Sequence, residues 1–161
     1  MKKIFERLGE GQEEPLMKGP ETVIFDNDGG MYIMNEEGFL VSLSEFKEDD
    51  QDNVIIWAKT RVVADLGVGR PLGGNFGPDN ILYIADVHLG LIRLKSFDSK
   101  VELVASRVFD QGKWSQILYA NDVVVGPKTG LVFFTDCKCF SSHAEYVKYV
   151  FSSCVSFYRS Q

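Results

Sequence analysis

The chain has little cysteine. Its three thiols in 161 residues, Cys137, Cys139 and Cys154, all fall within the last 25 positions. They cannot staple the rest of the chain, and an odd count leaves at least one outside any intrachain pair. Long apolar runs are also missing, and none approaches the roughly 18 uncharged residues that a membrane span needs. The start, Met1-Lys2-Lys3-Ile4-Phe5-Glu6-Arg7, is basic, but Glu6, Arg7 and Glu10 interrupt any apolar segment. No cleavable signal peptide is predicted, and the compartment stays unassigned. Basic charge is scarce too: 17 Lys+Arg stand against 23 Asp+Glu, a net charge of −6. Residues 1–60 hold 14 acidic and 6 basic side chains, a local net of −8. That balance argues against a surface built to neutralise nucleic-acid phosphates or anionic lipid. Sustained i, i+3, i+4 spacing is absent beyond about two turns before residue 140, which excludes a helical fold.

What is present is a set of short apolar runs closed by turn residues. Val23-Ile24-Phe25 stops at Asp26-Asn27-Asp28-Gly29-Gly30 and is followed by Met31-Tyr32-Ile33-Met34. Phe39 to Leu43 comes next, then an acidic stretch from Glu45 to Asn53, read as a solvated loop, and Val54-Ile55-Ile56-Trp57. Runs of this length, rich in β-branched and aromatic residues and bounded by Asp-Gly or Asn-Gly signals, predict strands joined by hairpins. A composition with 45% hydrophobic and 25% charged residues is that of a folded globular protein, so the fold class expected is all-β.

The strands repeat. Met31-Tyr32-Ile33-Met34-Asn35 matches Leu82-Tyr83-Ile84-Ala85-Asp86, which matches Val132-Phe133-Phe134-Thr135-Asp136, at steps of 51 and 50 residues. A turn precedes each copy, and two copies continue through a glycine into a third strand and then a fourth. Four short strands in about 50 residues is one blade of a β-propeller. A β-sandwich with accidentally periodic strands is the alternative. The approaches to the innermost strands, Gly19-Pro20-Glu21-Thr22, Gly69-Arg70-Pro71-Leu72 and Tyr119-Ala120-Asn121-Asp122, open onto one face of a propeller. Counting along the sequence puts Pro20, Pro71 and Asn121 in one register, with Glu21 and Asn121 aimed at the channel mouth.

Three ordered segments carry a family resemblance. Gly19-Pro20-Glu21-Thr22-Val23-Ile24-Phe25-Asp26 resembles the first blade of strictosidine synthase-like proteins. Arg70-Pro71-Leu72-Gly73 with Leu82 to Leu91 resembles the second, and Asn121 to Val125 with Gly130 to Asp136 resembles the third. The resemblance implies a six-bladed propeller of the strictosidine synthase-like and adipocyte plasma membrane-associated family, distantly related to paraoxonases and gluconolactonases. About three of the six blades are expected here: an N-terminal segment over 1–14, a partial propeller over 15–140 and a divergent tail over 141–161. The tail has no blade register and is expected to open as a helix, which suggests an N-terminal fragment of a longer protein. The open faces of such a fragment predict marginal stability, aggregation or assembly with a second copy.

The resemblance also implies chemistry. Esterases and lactonases among these relatives hold calcium at the channel mouth, and calcium takes six to eight oxygen ligands. Glu21 and Asn121 match two ligand positions, and Asp122 matches one position of a second, structural ion. The expected activity of a full-length protein is calcium-dependent hydrolysis of a small-molecule ester or lactone, with the isolated chain inactive. The alternatives are a non-catalytic propeller interaction module and amine–aldehyde condensation, which needs a late-blade glutamate beyond these repeats. The catalytic group itself is not assigned. Plant synthases carry a cysteine pair near the second blade, where Val68 and Gly74 stand here.

Other motifs are weaker. Asp26 to Glu37 imitates a calcium loop, but its sixth position is Met31 where glycine is required, so a hairpin turn is expected. Cys137, Cys139, His143 and Cys154 lack the C-x₂₋₄-C spacing of structural zinc. His88 is read as a rim side chain just past a strand end. No serine lies in a G-x-S-x-G elbow.

Overall fold

A computed structural model describes residues 18–49, 54–110, 112–137 and 154–158. All the regular structure among them is strand. β1 (Val23–Phe25), β2 (Met31–Met34), β3 (Phe39–Asp49) and β4 (Val54–Asp65) form one antiparallel sheet in sequence order. β5 (Pro71–Phe76), β6 (Leu82–Asp86), β7 (Gly90–Leu94) and β8 (Glu102–Ala105) form a second sheet of the same design. β9 (Arg107–Asp110) and β10 (Lys113–Gln116) make a separate two-stranded ribbon. β11 (Ala120–Val125), β12 (Val132–Asp136) and β13 (Cys154–Tyr158) form a third sheet. The molecule is all-β, with four-stranded meanders as its repeating unit.

The repeat seen in the sequence is a repeat of ladders. Tyr32 pairs Ile24 and Ser42, while Tyr83 pairs Asn75 and Arg93. Phe133 pairs Val124 and Phe157 in the third sheet. Sheets one and two pack face to face through Ile24, Tyr32, Met34 and Leu40 against Leu82, Ile84, Ile92 and Leu94. Sheets two and three pack through Tyr83, Ala85 and Leu91 against Val123, Val125, Val132 and Phe134. Alternate residues of β6 therefore serve two different cores, which explains why Leu82, Tyr83, Ile84 and Ala85 are all buried. Burying one such Leu, Ile or Phe side chain is worth roughly 1.5–3 kcal/mol. These two interfaces are the main apolar source of stability among the described residues.

Three features differ from the sequence reading. The acidic stretch after Leu43 is not simply a loop: β3 continues to Asp49, and β4 extends past the Val54–Trp57 run to Asp65. The long ribbon tolerates this because its register shifts between Ser44 and Lys47, where Glu45 takes a positive φ of 52°. The ribbon β9–β10 was not foreseen. The tail also contributes a strand: β13 pairs with β12 as the third strand of its sheet, although 17 residues separate Asp136 from Cys154. The expected helical opening of the tail, residues 141–153, lies outside the described residues. No helix among the described residues is long and apolar enough to cross a membrane.

Candidate functional site at the strand approaches

A buried polar residue stands where the second strand of each sheet closes: Asn35 just after β2, Asp86 as the last residue of β6 and Asp136 as the last of β12. Each carboxylate or amide oxygen at that point holds backbone together. Asn35 Oδ1 accepts from the N–H groups of Glu37 (3.1 Å) and Phe39 (2.9 Å), which closes the β2–β3 turn. Asp86 Oδ1 accepts from His88 (2.8 Å) and Leu89 (2.9 Å) and closes β6–β7 in the same way. Asp136 Oδ1 instead accepts from Leu118 (3.2 Å) and Tyr119 (3.0 Å), fixing the approach to β11. The sequence marked these residues as a repeat but not as turn anchors. Asp86 Oδ2 has no hydrogen-bond partner among the described residues and lies against Gly69, where a Cβ would overlap it.

The ladders revise the register of the approaches. Pro71 faces Asp86 and Ala120 faces Asp136, with an extra residue bulging from β5 and from β11 just beyond. Ala120, not Asn121, is therefore the counterpart of Pro71. Val23, Gly74 and Val123 occupy matching positions opposite Ile33, Ile84 and Phe134. Two residues before each stand Glu21, Leu72 and Asn121. A bulge is invisible to counting: it moves the reference residue by one and brings Glu21, not Pro20, into step with Asn121.

These three positions sit at one end of the sheets, in different surroundings. Glu21 is exposed, and Arg70 Nη2 donates to its Oε1 at 3.0 Å. Arg70 Nη1 also lies 3.5 Å from Glu36, which pairs with Lys18 at 3.2 Å. Leu72 is buried and Asn121 half-buried. Asp122 is exposed; its N–H donates to Thr135 Oγ1 (3.1 Å) and its Oδ1 accepts from Val123 N–H (2.8 Å). Gly73 allows this approach, since a Cβ there would stand 2.6 Å from Asp122 Cα and 2.8 Å from Asn121 O. The structure thus gives Glu21 a cation partner and does not join it to Asn121 by a hydrogen bond.

The remaining motifs resolve locally. The Asp26 carboxylate is used by its own hairpin, accepting from Asp28 N–H (3.0 Å), Gly30 N–H (2.6 Å) and Tyr32 OH (2.7 Å). Burial pushes its pKa up, but these hydrogen bonds outweigh burial and hold it below the usual carboxylate value. Burial and the same bond to Asp26 push the Tyr32 phenol up to about 12. His88 is exposed. Cys137 is buried; Cys139 and His143 lie outside the described residues. Among the described residues no group of three or more His, Cys, Asp or Glu side chains could hold a metal ion.

No profile of a known protein family matches the chain. It is 28% identical over 139 residues to adipocyte plasma membrane-associated protein of Homo sapiens, covering 81% of this chain and 30% of that protein. It is 31% identical over 80 residues to protein strictosidine synthase-like 2 of Arabidopsis thaliana, covering 49% of this chain and 20% of the relative. The chain thus spans less than a third of the length of either relative. Among solved structures, a luciferin-regenerating enzyme with a propeller fold superposes with a TM-score of 0.54 at 15% identity. The superposition covers 88% of this chain and 45% of that enzyme. By sequence the chain is similar to the strictosidine synthase-like and adipocyte plasma membrane-associated proteins, and its fold is that of propeller blades.

Proposed function

We propose that this chain supplies one side of a ligand site at the mouth of a propeller channel, and that the closed ring hydrolyses a small ester or lactone with calcium. One observation supports the reading: Glu21 and Asn121 each stand two residues before Val23 and Val123, which occupy matching ladder positions at the same end of sheets one and three. In a ring, equivalent positions at one end converge on the axis. Calcium in that place would supply Lewis-acid polarisation of the substrate carbonyl. Glu21 and Asn121 would be two of its ligands, while Asp122 would belong to a second, structural ion. Two side chains, offering three oxygens at most, fall short of the six to eight that calcium takes, so these residues do not by themselves fit the ion. The chain alone is accordingly read as inactive. Arg70 would hold the Glu21 carboxylate in place through the ion pair at 3.0 Å.

A second reading, a propeller interaction module without catalysis, is favoured by the Arg70–Glu21 pair, which satisfies the carboxylate without any metal. Calcium titration by calorimetry, beside aryl-ester hydrolysis with and without chelator, separates the two. The first reading expects weak calcium heat that Glu21→Gln and Asn121→Leu each abolish, with no turnover by the dispersed chain. Calcium heat unchanged in both variants, or turnover equal in chelator, overturns it. No calcium heat in the unaltered chain favours the interaction module.

A further inference from the structure

The two internal interfaces use one pattern, and the pattern has a free half at each end of the array. On sheet one, Ile24, Tyr32 and Met34 face sheet two. Their ladder counterparts on sheet two include Tyr83 and Ala85, which face sheet three. Their counterparts on sheet three are Val124, Phe133 and Thr135. Val124 is 55% and Phe133 36% exposed, so among the described residues this third copy of the face is open. At the other end, Val123 and Val125 are the residues with which β11 packs against sheet two. Their counterparts on β1 are Val23 and Phe25, 54% and 55% exposed. Ile33 and Val41, further out on that face, are buried with Ala58, so the open part is the half formed by β1.

The donor half of one interface is thus exposed on sheet three, and the acceptor half of the same interface is exposed on sheet one. One molecule cannot join them, because sheet two lies between. A second copy can. We propose that two copies of this chain associate head to tail, with the Val124–Phe133 face of each covering the Val23–Phe25 face of the other. A head-to-tail contact either closes or runs on as a filament. Closure with two copies follows from the chain's overlay on 45% of a propeller enzyme, close to half of a ring. The contact is apolar and repeats an interface that this sequence already packs twice. This inference does not rest on the hydrolytic reading.

The test is the oligomeric state of the 161-residue chain, read by sedimentation over a wide concentration range. The expected species is twice the 18.1 kDa of one chain. Val124→Lys alone and Val23→Glu alone should each weaken dimerisation at least tenfold, because every interface contains both faces. Mixing the two variants should restore a dimer, since one interface then pairs Lys with Glu and the other is unaltered. A native chain that stays at 18.1 kDa throughout, dimers that persist in both variants, or a mixture that does not recover would each overturn the proposal. Should either variant fail to give the β-type circular dichroism of the native chain, amide exchange needs no substitution. On dilution of the native protein, amides of β1 and β11 should exchange faster while those of β6 do not. Uniform change, or none, refutes the assigned faces.

Discussion

Single side chains in this molecule act mainly by tying backbone to backbone. Asp86 anchors a turn with one oxygen, and the other is pressed against Gly69. Gly69→Ala therefore has nowhere to put its methyl group: the carboxylate is fixed by two N–H donors and cannot swing aside. A loss of about 1–3 kcal/mol is expected from overpacking, read as a lower urea midpoint. Asp26 makes a pH-dependent contribution. Its folded pKa lies below the ordinary 3.8, so its share of stability is present above that value and is lost as pH falls through the depressed one. Asp26→Asn should lower stability at neutral pH, and the gap between variant and native should narrow as acid is added. A gap independent of pH would show that the carboxylate charge is not what the hairpin uses. The alkaline side follows the opposite rule. Tyr32, raised to about 12, contributes below its unfolded value near 10 and loses that contribution as pH climbs through 12. The sequence displayed Asp26 and Tyr32 as part of a turn and a repeat. Their hydrogen bond depends on hairpin geometry, which residue types alone do not specify.

Elements differ in how far they can be read from local pattern. The hairpins β1–β2 and β5–β6 announce themselves because turn residues and alternating strands lie within ten or so positions of one another. The ribbon β9–β10 does not. It pairs Phe109 with Trp114 on an exposed face, while Val108 on the other face packs against the core between sheets two and three. Its alternation is therefore the reverse of the usual expectation for aromatic residues. Trp114→Ala should consequently cost no more than about 1 kcal/mol, the scale of an aromatic pair beyond area burial. Phe134→Ala, at a fully buried site in β12, should cost about 3–5 kcal/mol. Equal losses in thermal or urea melts would place the ribbon in the core, contrary to the structure. β13 was illegible for another reason: its partner lies across a long connection, and no local signal records a pairing at that distance. Because β12 has neighbours on both sides, all its amides should resist hydrogen exchange. Free exchange at every second residue of Val132–Asp136 would mean that β13 is not docked.

Among the described residues the three sheets pack as a linear array, sheet one on sheet two and sheet two on sheet three, so stability is approximately a sum of sheets and interfaces. The repeat of about 50 residues was enough to predict this, since it fixes the unit and the order of units. What it could not supply was the polar stitching between units. Asn75 Oδ1 accepts from Val125 N–H at 2.9 Å, joining β5 to β11, and Asn27 Nδ2 donates to Gly77 O at 2.9 Å, joining the first hairpin to the second. Both bonds span 50 residues. Val125 is buried, so Asn75→Ala strands a backbone donor away from water. Such a group costs about 1–3 kcal/mol, and the loss should fall on the junction of sheets two and three. Asn75→Asp keeps an acceptor in place and should recover most of it near neutral pH. Asn27→Ala removes a donor at a partly exposed turn, where water can replace it at the Gly77 carbonyl, and should cost less than 1 kcal/mol or so. In a linear array the consequence is directional: amides of β11 and β12 should exchange faster in Asn75→Ala, while those of β2 and β3 keep their native rates. Acceleration shared equally by all three sheets would show that the sheets unfold as one body and that the junction is not a separable unit.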